Sequence, residues 1–374
     1  MADSATFVRS EEQAMLAATV RELLETSATL DTVRDMSLTN DAFNRDAWNG
    51  LAGMGLIGLT VSEEYGGAGY GFAEMAVVFE ELGAMVTPVP MLSSLLAATA
   101  ILESGTREQK AALLPPIASG EAVGTLAAFE SPHCDGVTSI ATSAIATDGG
   151  WEISGTKRFV TDAPNADLFV VTANVDGETS LFAIERGAGG LTVTSTPSLD
   201  PTRPLGQITF EEVLAPEDAY LGGTANPRAV RRALDLGVAA LAQEQVGGAQ
   251  RCLEMATEYA RTRFQFGRAI GSFQAIKHMC ANMLVSVEHA RSVAWHAART
   301  IDDPDEASIA VPLARSVCSD AYLSVAGANI QVHGGIGFTW EHDAHLYFKR
   351  AKSTSLLLGS AERHRDRLAD AVGI

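Results

Sequence analysis

The sequence predicts an α+β protein of three parts: an N-terminal helical domain, a small antiparallel β-barrel or sandwich domain, and a C-terminal four-helix bundle. Three observations carry that reading. Apolar residues recur at helical spacing up to about Glu121, the pattern turns to period two from Ala122 to about Gly223, and helical spacing returns in four long segments from Arg228 onward. The parts are therefore expected at 1–121, 122–223 and 228–374. A chain of 374 residues accommodates them at a prior of about 150 residues per domain.

In the first part, Ala14, Leu16, Val20, Leu23 and Leu24 mark a helix from Glu11 to Thr26. A second helix runs from Phe72 to Leu82, after the loop Glu63-Glu64-Tyr65-Gly66-Gly67-Ala68-Gly69. A third starts behind Thr106, an N-cap with Gln109 three positions on, and should stop before Pro115-Pro116. In the second part, Trp151 to Gly155, Leu168 to Ala173, Ser180 to Ile184, Leu191 to Thr196 and Gln207 to Val213 read as short strands punctuated by turn residues. In the third, Arg228 to Arg261, Ser272 to Ile301, Ala307 to His333 and Asp343 to Ala371 are amphipathic and joined by short loops, as in an antiparallel bundle. No fixed-period repeat is present, which excludes a solenoid.

Composition narrows the function classes. At 47% hydrophobic and 20% charged residues the chain is neither disordered nor fibrous. Lys plus Arg number 27 and Asp plus Glu 46, a formal charge of −19. Such a surface repels phosphate backbones and argues against nucleic acid, though not against an anionic small ligand in a local basic pocket. Cys134, Cys252, Cys280 and Cys318 form no CxxC pair, and free thiols in a reducing cytosol are expected rather than disulfides or a zinc knuckle. No basic region followed by an apolar run opens the sequence, and the apolar stretch Met91 to Leu102 is too short to span a bilayer. The expectation is a cytoplasmic protein without membrane insertion.

Two segments have the residue types for binding. Between Tyr259 and Arg268, three arginines (Arg261, Arg263, Arg268) and the rings of Phe264 and Phe266 crowd together in an otherwise acidic chain. Guanidinium groups beside flat rings suit a pyrophosphate carrying a planar base. A solvated basic helix end complementing its own dipole accounts for them equally well. In Gln331-Val332-His333-Gly334-Gly335-Ile336-Gly337-Phe338 the glycines break a helix and admit a ligand or another chain to the backbone, or simply make a tight turn. The glycines after Tyr65 follow no strand, so a dinucleotide-binding Rossmann turn is rejected. Glu341-His342-Asp343-Ala344-His345 lacks a further ligand set, and no metal is expected. Ser131-Pro132-His133-Cys134 is turn-like and not a nucleophile elbow.

Taken in order, these pieces resemble the acyl-CoA dehydrogenase family over essentially the whole chain. The resemblance rests on Glu64-Tyr65-Gly66-Gly67 with Glu80-Glu81-Leu82-Gly83; on Lys157-Arg158-Phe159-Val160-Thr161-Asp162; on Arg263 to Arg268 with Phe273-Gln274; on Gln331 to Gly337; and on Gly359-Ser360-Ala361 after Arg350-Ala351-Lys352. It implies the same three-part fold and a non-covalent FAD held between the β domain and bundle of one chain and the bundle of a neighbour. Arg263, Phe266, Gln274, Gln331 and Gly335 fall on positions that hold the adenosine-diphosphate half of the neighbour's FAD. Phe159, Thr161 and Ser360 fall on the flavin side. The implied reaction is α,β-desaturation of an acyl-CoA thioester: a glutamate removes the α-proton while a β-hydride passes to the flavin and on to an electron-transfer acceptor.

The match fails at the chemistry. The family's usual base position holds Leu358, its alternative on the first bundle helix holds Gly237, and the arginine beside the latter is Val238. Phe129 and Asp135 replace β-domain hydroxyls, and Phe159 replaces a tryptophan. Three readings follow. The chain is the catalytically silent, FAD-completing half of a hetero-oligomer with a homologous chain that keeps the glutamate, as in bacterial α2β2 relatives acting on CoA thioesters of steroid side chains or other bulky acids. Or it is a homo-oligomeric enzyme whose base has moved to Glu244, two turns beyond Gly237. Or it is a flavin-free structural or binding subunit.

Overall fold

The computed structural model describes residues 9–39 and 43–374. Its helices, in chain order, are α1 (Glu11–Ser27), α2 (Leu30–Thr39), α3 (Arg45–Gly53), α4 (Phe72–Ala84), α5 (Met91–Ser104), α6 (Arg107–Ala118), α7 (Pro227–Thr262), α8 (Gln274–Thr300), α9 (Pro304–His333), α10 (Ala344–Thr354) and α11 (Ala361–Val372). The strands are β1 (Gly124–Ala127), β2 (Ser143–Thr147), β3 (Gly150–Thr161), β4 (Leu168–Val175), β5 (Glu178–Glu185), β6 (Leu191–Thr196), β7 (Leu205–Pro216) and the two-residue pair β8 (Phe264–Gln265) and β9 (Arg268–Ala269). Residues 9–39, 72–87 and 238–374 form one compact unit, and 43–71 with 88–237 form another.

The first unit is helical. Its opening helix begins where the sequence provides a reciprocal cap: Ser10 Oγ accepts from Gln13 N, and Gln13 Oε1 accepts from Ser10 N, both at 3.1 Å. Val20 and Leu24 then bury one stripe of α1. In the bundle, α7, α8 and α9 approach closely because their contact faces carry small side chains, among them Ala242, Ala290, Ala294, Ala297, Ala310 and Ala314. Helices α4 and α7 cross with their backbones in close approach. A Cβ on Gly83 would lie 2.0 Å from the Glu244 carbonyl oxygen, and one on Gly247 would lie 1.8 Å from that of Glu80. Only glycine permits two backbones to touch there. The last bundle segment, expected as one helix, is two. After α10 the chain turns through residues 355–360, with Leu358 and Gly359 at φ 56° and 103°, and restarts as α11 on the N-cap Ser360.

The second unit is built on a seven-stranded sheet, ordered β1-β4-β2-β3-β7-β6, with β5 on the other edge of β4. Five strands lie where period two placed them, each longer than expected or equal to it. Strands β1 and β2 are additional. Both pair parallel to β4, so the sheet is mixed rather than wholly antiparallel. Strand β1 is buried at all four positions, and a strand covered on both faces shows no alternation to read. Within the sheet Lys157 is 0% exposed, its Nζ donating to Glu130 Oε1 at 2.7 Å and to Thr172 Oγ1 at 2.9 Å. Helix α6 starts on the expected Thr106–Gln109 capping box but continues through Pro115 and Pro116 to Ala118. Proline φ is helical, the missing N–H groups fall in the last turn, and burial of Leu114, Ile117 and Ala118 holds that turn down. Helix α5 escaped a periodic reading because it is buried on nearly every face from Met91 to Ile101.

Candidate functional site

Helix α7 ends at Thr262 and the chain reverses at once. Gln265 faces Arg268 across β8 and β9, leaving Phe266 and Gly267 as the turn, with φ 53° and 77°. Two successive positive φ values are the mark of the type I′ hairpin, whose twist suits short antiparallel strands. Ile270 N donates to Arg263 O at 2.8 Å and closes the hairpin base. This geometry turns the side chains outward: Phe266 is 90% exposed, and Arg261, Arg263 and Arg268 are exposed too. None of the three arginines pairs with a carboxylate among the described residues. Arg268 lies over the Phe273 ring, 4.1 Å from its centroid, and Phe266 meets the same ring edge-on at 6.1 Å. Gln274 is the exposed first residue of α8.

The second segment reaches the same end of the bundle. Helix α9 runs antiparallel to α8 and finishes at His333, where Gly334 takes φ 63° and a 3-10 turn, Gly334–Phe338, follows. Gln331 is exposed on the last helical turn. Gly335 is exposed as well, and a Cβ added to it would meet nothing within 4 Å. The His333 ring stacks on Tyr259, centroids 4.4 Å apart, fixing this turn to the last turns of α7 just before the hairpin. Burial lowers the pKa of His333 and of His342, which packs 4.4 Å from it, so the stack is uncharged near neutral pH. Three helix ends thus gather the sequence-expected set: a cation (Arg263), a ring face (Phe266), amide side chains (Gln274, Gln331) and open backbone (Gly335). That combination suits a pyrophosphate with an attached planar base.

The positions associated with proton transfer have a different character. Leu358 carries no proton acceptor, and its carbonyl accepts from His364 Nε2 at 3.0 Å. Gly237 is a buried helical residue of α7. Glu244 is 2% exposed, and its Oε1 accepts from Arg350 Nη1 at 2.8 Å, with the Arg350 side chain 1% exposed. The Glu244 carboxylate is therefore one partner of a buried ion pair. Ser360 Oγ accepts from Arg363 N at 3.4 Å as the cap of α11, which leaves its own O–H to donate.

On the sheet, Phe159 is partly exposed at φ 56°. Thr161 is buried, with its carbonyl accepting from Thr125 Oγ1 at 2.7 Å. Asp135 holds its own turn together, its Oδ1 accepting from Val137 N at 2.8 Å and from Thr138 N at 2.6 Å. Partial burial opposes its charge, but these N–H donors outweigh that and lower its pKa. Phe129 is half-buried, and its carbonyl accepts from Arg158 N at 2.7 Å.

The residues missed from sequence are buried polar ones: Gln245, Arg315 and Arg350. Their signal was a charge or amide interrupting the apolar stripe of a bundle helix, as Arg315 does between Val311 and Cys318. Of the other clusters, His345 Nε2 is engaged by the Trp340 carbonyl at 3.2 Å, and all four cysteines are free thiols. Among the described residues no helix is long and apolar enough to cross a membrane.

Models of the acyl-CoA dehydrogenase N-terminal, middle and C-terminal domains match residues 10–121, 126–213 and 228–373. The chain is 33% identical over 360 residues to acyl-CoA dehydrogenase IpdE2 of Mycolicibacterium smegmatis, covering 96% of this chain and 98% of the relative. A chain of the ChsE4–ChsE5 complex from Mycobacterium tuberculosis superposes with a TM-score of 0.91 at 29% identity, over 99% of both chains. A chain from a variant of the Tcur3481–Tcur3483 steroid ACAD superposes with a TM-score of 0.88 at 32% identity, over 97% of this chain and 98% of the other.

Proposed function

The chain belongs to the acyl-CoA dehydrogenase family, and we propose that it serves FAD-dependent α,β-desaturation of an acyl-CoA thioester as the catalytically silent, FAD-completing subunit of a hetero-oligomer. One contrast carries the proposal. Arg263 is exposed with no carboxylate partner among the described residues and Phe266 is exposed beside it, while the two base positions hold Leu358 and Gly237. A chain acting alone would need a carboxylate at one of them. A chain completing another's cofactor site would need only the hairpin and the glycine turn.

The residues present fit the adenosine-diphosphate half of FAD. The exposed guanidinium of Arg263 can make charge-assisted hydrogen bonds to pyrophosphate. Phe266 offers a ring face, and the open backbone at Gly335 leaves room for close approach. When bound, FAD supplies the hydride acceptor of the desaturation. This chain contributes orientation and charge to it, with Gln274 and Gln331 as amide partners, and Phe159, Thr161 and Ser360 remain as flavin-side candidates. Removal of the substrate α-proton falls to a glutamate of the homologous chain, and reoxidation to an electron-transfer acceptor. Glu244 is assigned a structural role because its carboxylate is held in the buried pair with Arg350. Two of the similar solved structures are named as two-component assemblies, which supports a paired architecture.

The test is native mass with flavin stoichiometry. The isolated chain should retain FAD poorly and leave acyl-CoA unchanged. Co-expression with a homologue that carries the glutamate should give an α2β2 tetramer holding about two FAD, since half the pockets are complete. A homotetramer of this chain with one FAD per subunit, bleached by an acyl-CoA, would overturn the proposal.

A further inference from the structure

Three of the chain's eight histidines converge where α9 gives way to α10, and the hydrogen bonds around them settle how each ring is protonated. His333, 6% exposed, meets two rings, Tyr259 of α7 and His342, each with its centroid 4.4 Å away. Its Nδ1 lies 2.8 Å from the Asn329 carbonyl oxygen, which can only accept, so Nδ1 carries the proton and a second one must go to Nε2. His342 is the opposite tautomer. Its Nδ1 accepts from the N–H of Ala344, the first residue of α10, at 3.1 Å, and so carries no proton. His345 Nε2 donates to the Trp340 carbonyl at 3.2 Å, which leaves Nδ1 bare; that atom is buried and has no hydrogen-bond partner among the described residues.

Each ring is thus fitted to its neutral form, and a second proton disturbs each in a different way. On His342 it displaces the Ala344 N–H and undoes the start of α10. On His345 it creates a buried donor with nothing to receive it. On His333 it sets a positive charge 4.4 Å from the His342 ring. Of the surrounding charges, Arg34 of α2 opposes a proton on His342 and on His345, and Lys349 of α10, 4.0 Å over the Trp340 ring, opposes one on His345. Asp343 favours both, but it is already the partner of Arg34, which also pairs with Asp31. Tyr259 offers a ring face, and Glu341 is exposed. Burial is the largest influence on all three histidines and pushes each pKa below the ordinary 6.5.

We propose that His333, His342 and His345 form a proton-sensitive latch on the connection from Gly334 to Asp343, closed while the three rings are neutral and opened by mild acid. A ring whose closed-state pKa lies below 6.5 binds its second proton more weakly in the closed turn than in the open one. The latch is therefore at full strength above pH 6.5 and weakens as pH falls through the closed values. Gly335 lies within the connection and Gln331 on the helical turn before it, so opening displaces groups that the binding end of the bundle presents. The consequence for FAD rests on the function proposed above; the latch does not.

Hydrogen exchange on the full-length chain, corrected for the intrinsic pH dependence of amide exchange, tests the latch alone. Between about pH 7.5 and about pH 5.5, each histidine that must take up a proton to open the turn raises the open population by up to about tenfold. Protection of the 334–345 amides should therefore fall about tenfold or more, while the β3 amides keep theirs. The triple variant His333→Phe, His342→Asn, His345→Gln removes every titrating ring. It keeps a ring against Tyr259, an oxygen to accept from Ala344 N and an N–H for the Trp340 carbonyl, and its loss should stay within about twofold. Should it fail to fold, His342→Asn alone should cut the wild-type loss about threefold or more. Unchanged protection in the wild type, or a loss that persists in these variants, overturns the latch. In the FAD-loaded hetero-oligomer, flavin release should quicken about threefold or more over the same interval in the wild type, and less in the variant that folds. Release indifferent to pH while the turn opens overturns the consequence for FAD. If no wild-type assembly retains FAD, the proposed function fails, while the exchange result still decides the latch.

Discussion

Arg263 and Arg315 both sit on long bundle helices or at their ends, yet the fold treats them in opposite ways. Arg263 follows the last turn of α7 and faces solvent, with no carboxylate partner among the described residues. Arg315 is wholly enclosed and donates to three main-chain carbonyls and a serine. The same division runs through their surroundings. Phe266, Gln331 and Gly335 are exposed beside the first, while Glu244, Arg350 and Gln245 are buried and bonded near the second. Polar groups bonded within the fold contribute to stability and specificity. Those left exposed on a pre-formed hairpin are available to something else. The first region should therefore respond to mutation in ligand binding, and the second in folding.

The largest expected effect lies in the second region. Glu244→Ala leaves the Arg350 guanidinium buried without this carboxylate and should destabilise the chain by about 3–5 kcal/mol, measured by denaturant unfolding. Glu244→Gln, with FAD and assembly intact, should keep turnover of the active hetero-oligomer within a few-fold of wild type. A loss on the order of a thousandfold would instead make this glutamate a relocated base and erase the distinction between the regions.

Arg263→Ala is the counterpart in the first region. Unfolding midpoints should stay at wild-type values, because the side chain makes no ion pair among the described residues. FAD retention in the assembly should weaken by about 1.5–3 kcal/mol, the range for a charge-assisted hydrogen bond. Equilibrium dialysis of the assembled protein reads this directly. Unchanged flavin affinity would remove the hairpin from the cofactor site.

A control for internally bonded charge lies in the sheet. Burial pushes the Glu130 carboxyl pKa up, but the hydrogen bond and charge of Lys157, with the Thr142 and Ala141 N–H groups, outweigh it and hold the value at about 2, against an ordinary 4.5. The folded state therefore binds this proton more weakly than the unfolded chain does. The stabilisation is fully present above the ordinary value and disappears as pH falls through the folded one. With solvent screening it should amount to about 2 kcal/mol, lost between about pH 5 and about pH 2. Urea unfolding across that window should show the loss, and Glu130→Gln should flatten it.

The sequence made legible what depends on pattern and on local chemistry. The cap at Thr106, five of the strands and the bundle helices followed from spacing and turn residues. The hairpin arginines stood out because they cluster in an acidic chain. Burial on all sides hid α5 and β1, where no stripe or alternation remains to be read. The Pro115-Pro116 stop failed because tertiary burial outweighed a helix-breaking preference. The polar cluster that Arg315 gathers around residues 354–360 was illegible for a further reason. Arg315, Ser319, Gln245, Thr354 and His364 lie on four helices, and only packing brings them together. Along the candidate site the same rule holds: the local motif at 263–268 was visible, and the long-range Glu244–Arg350 pair was not.

The smallest effect discriminates best, because its two readouts should move in opposite directions. Phe266 occupies the first central position of a type I′ turn, at φ 53°, where the left-handed backbone disfavours a residue with a bulky Cβ substituent and asparagine is the favoured choice. The ring returns little to the fold, since it is 90% exposed and touches Phe273 only edge-on at 6.1 Å. If folding alone set this position, phenylalanine would be a poor choice. Phe266→Asn should therefore leave the isolated chain unharmed or stabilise it by up to about 1 kcal/mol, the strain relieved at one left-handed residue. The same substitution removes the ring face offered to the adenine-bearing half of FAD and should lower flavin retention in the hetero-oligomer. A ring serving only the hairpin would give the reverse result, with stability lost and flavin retention unchanged. That outcome would place Phe266 with the internally bonded residues of the second region and end the contrast drawn between the two.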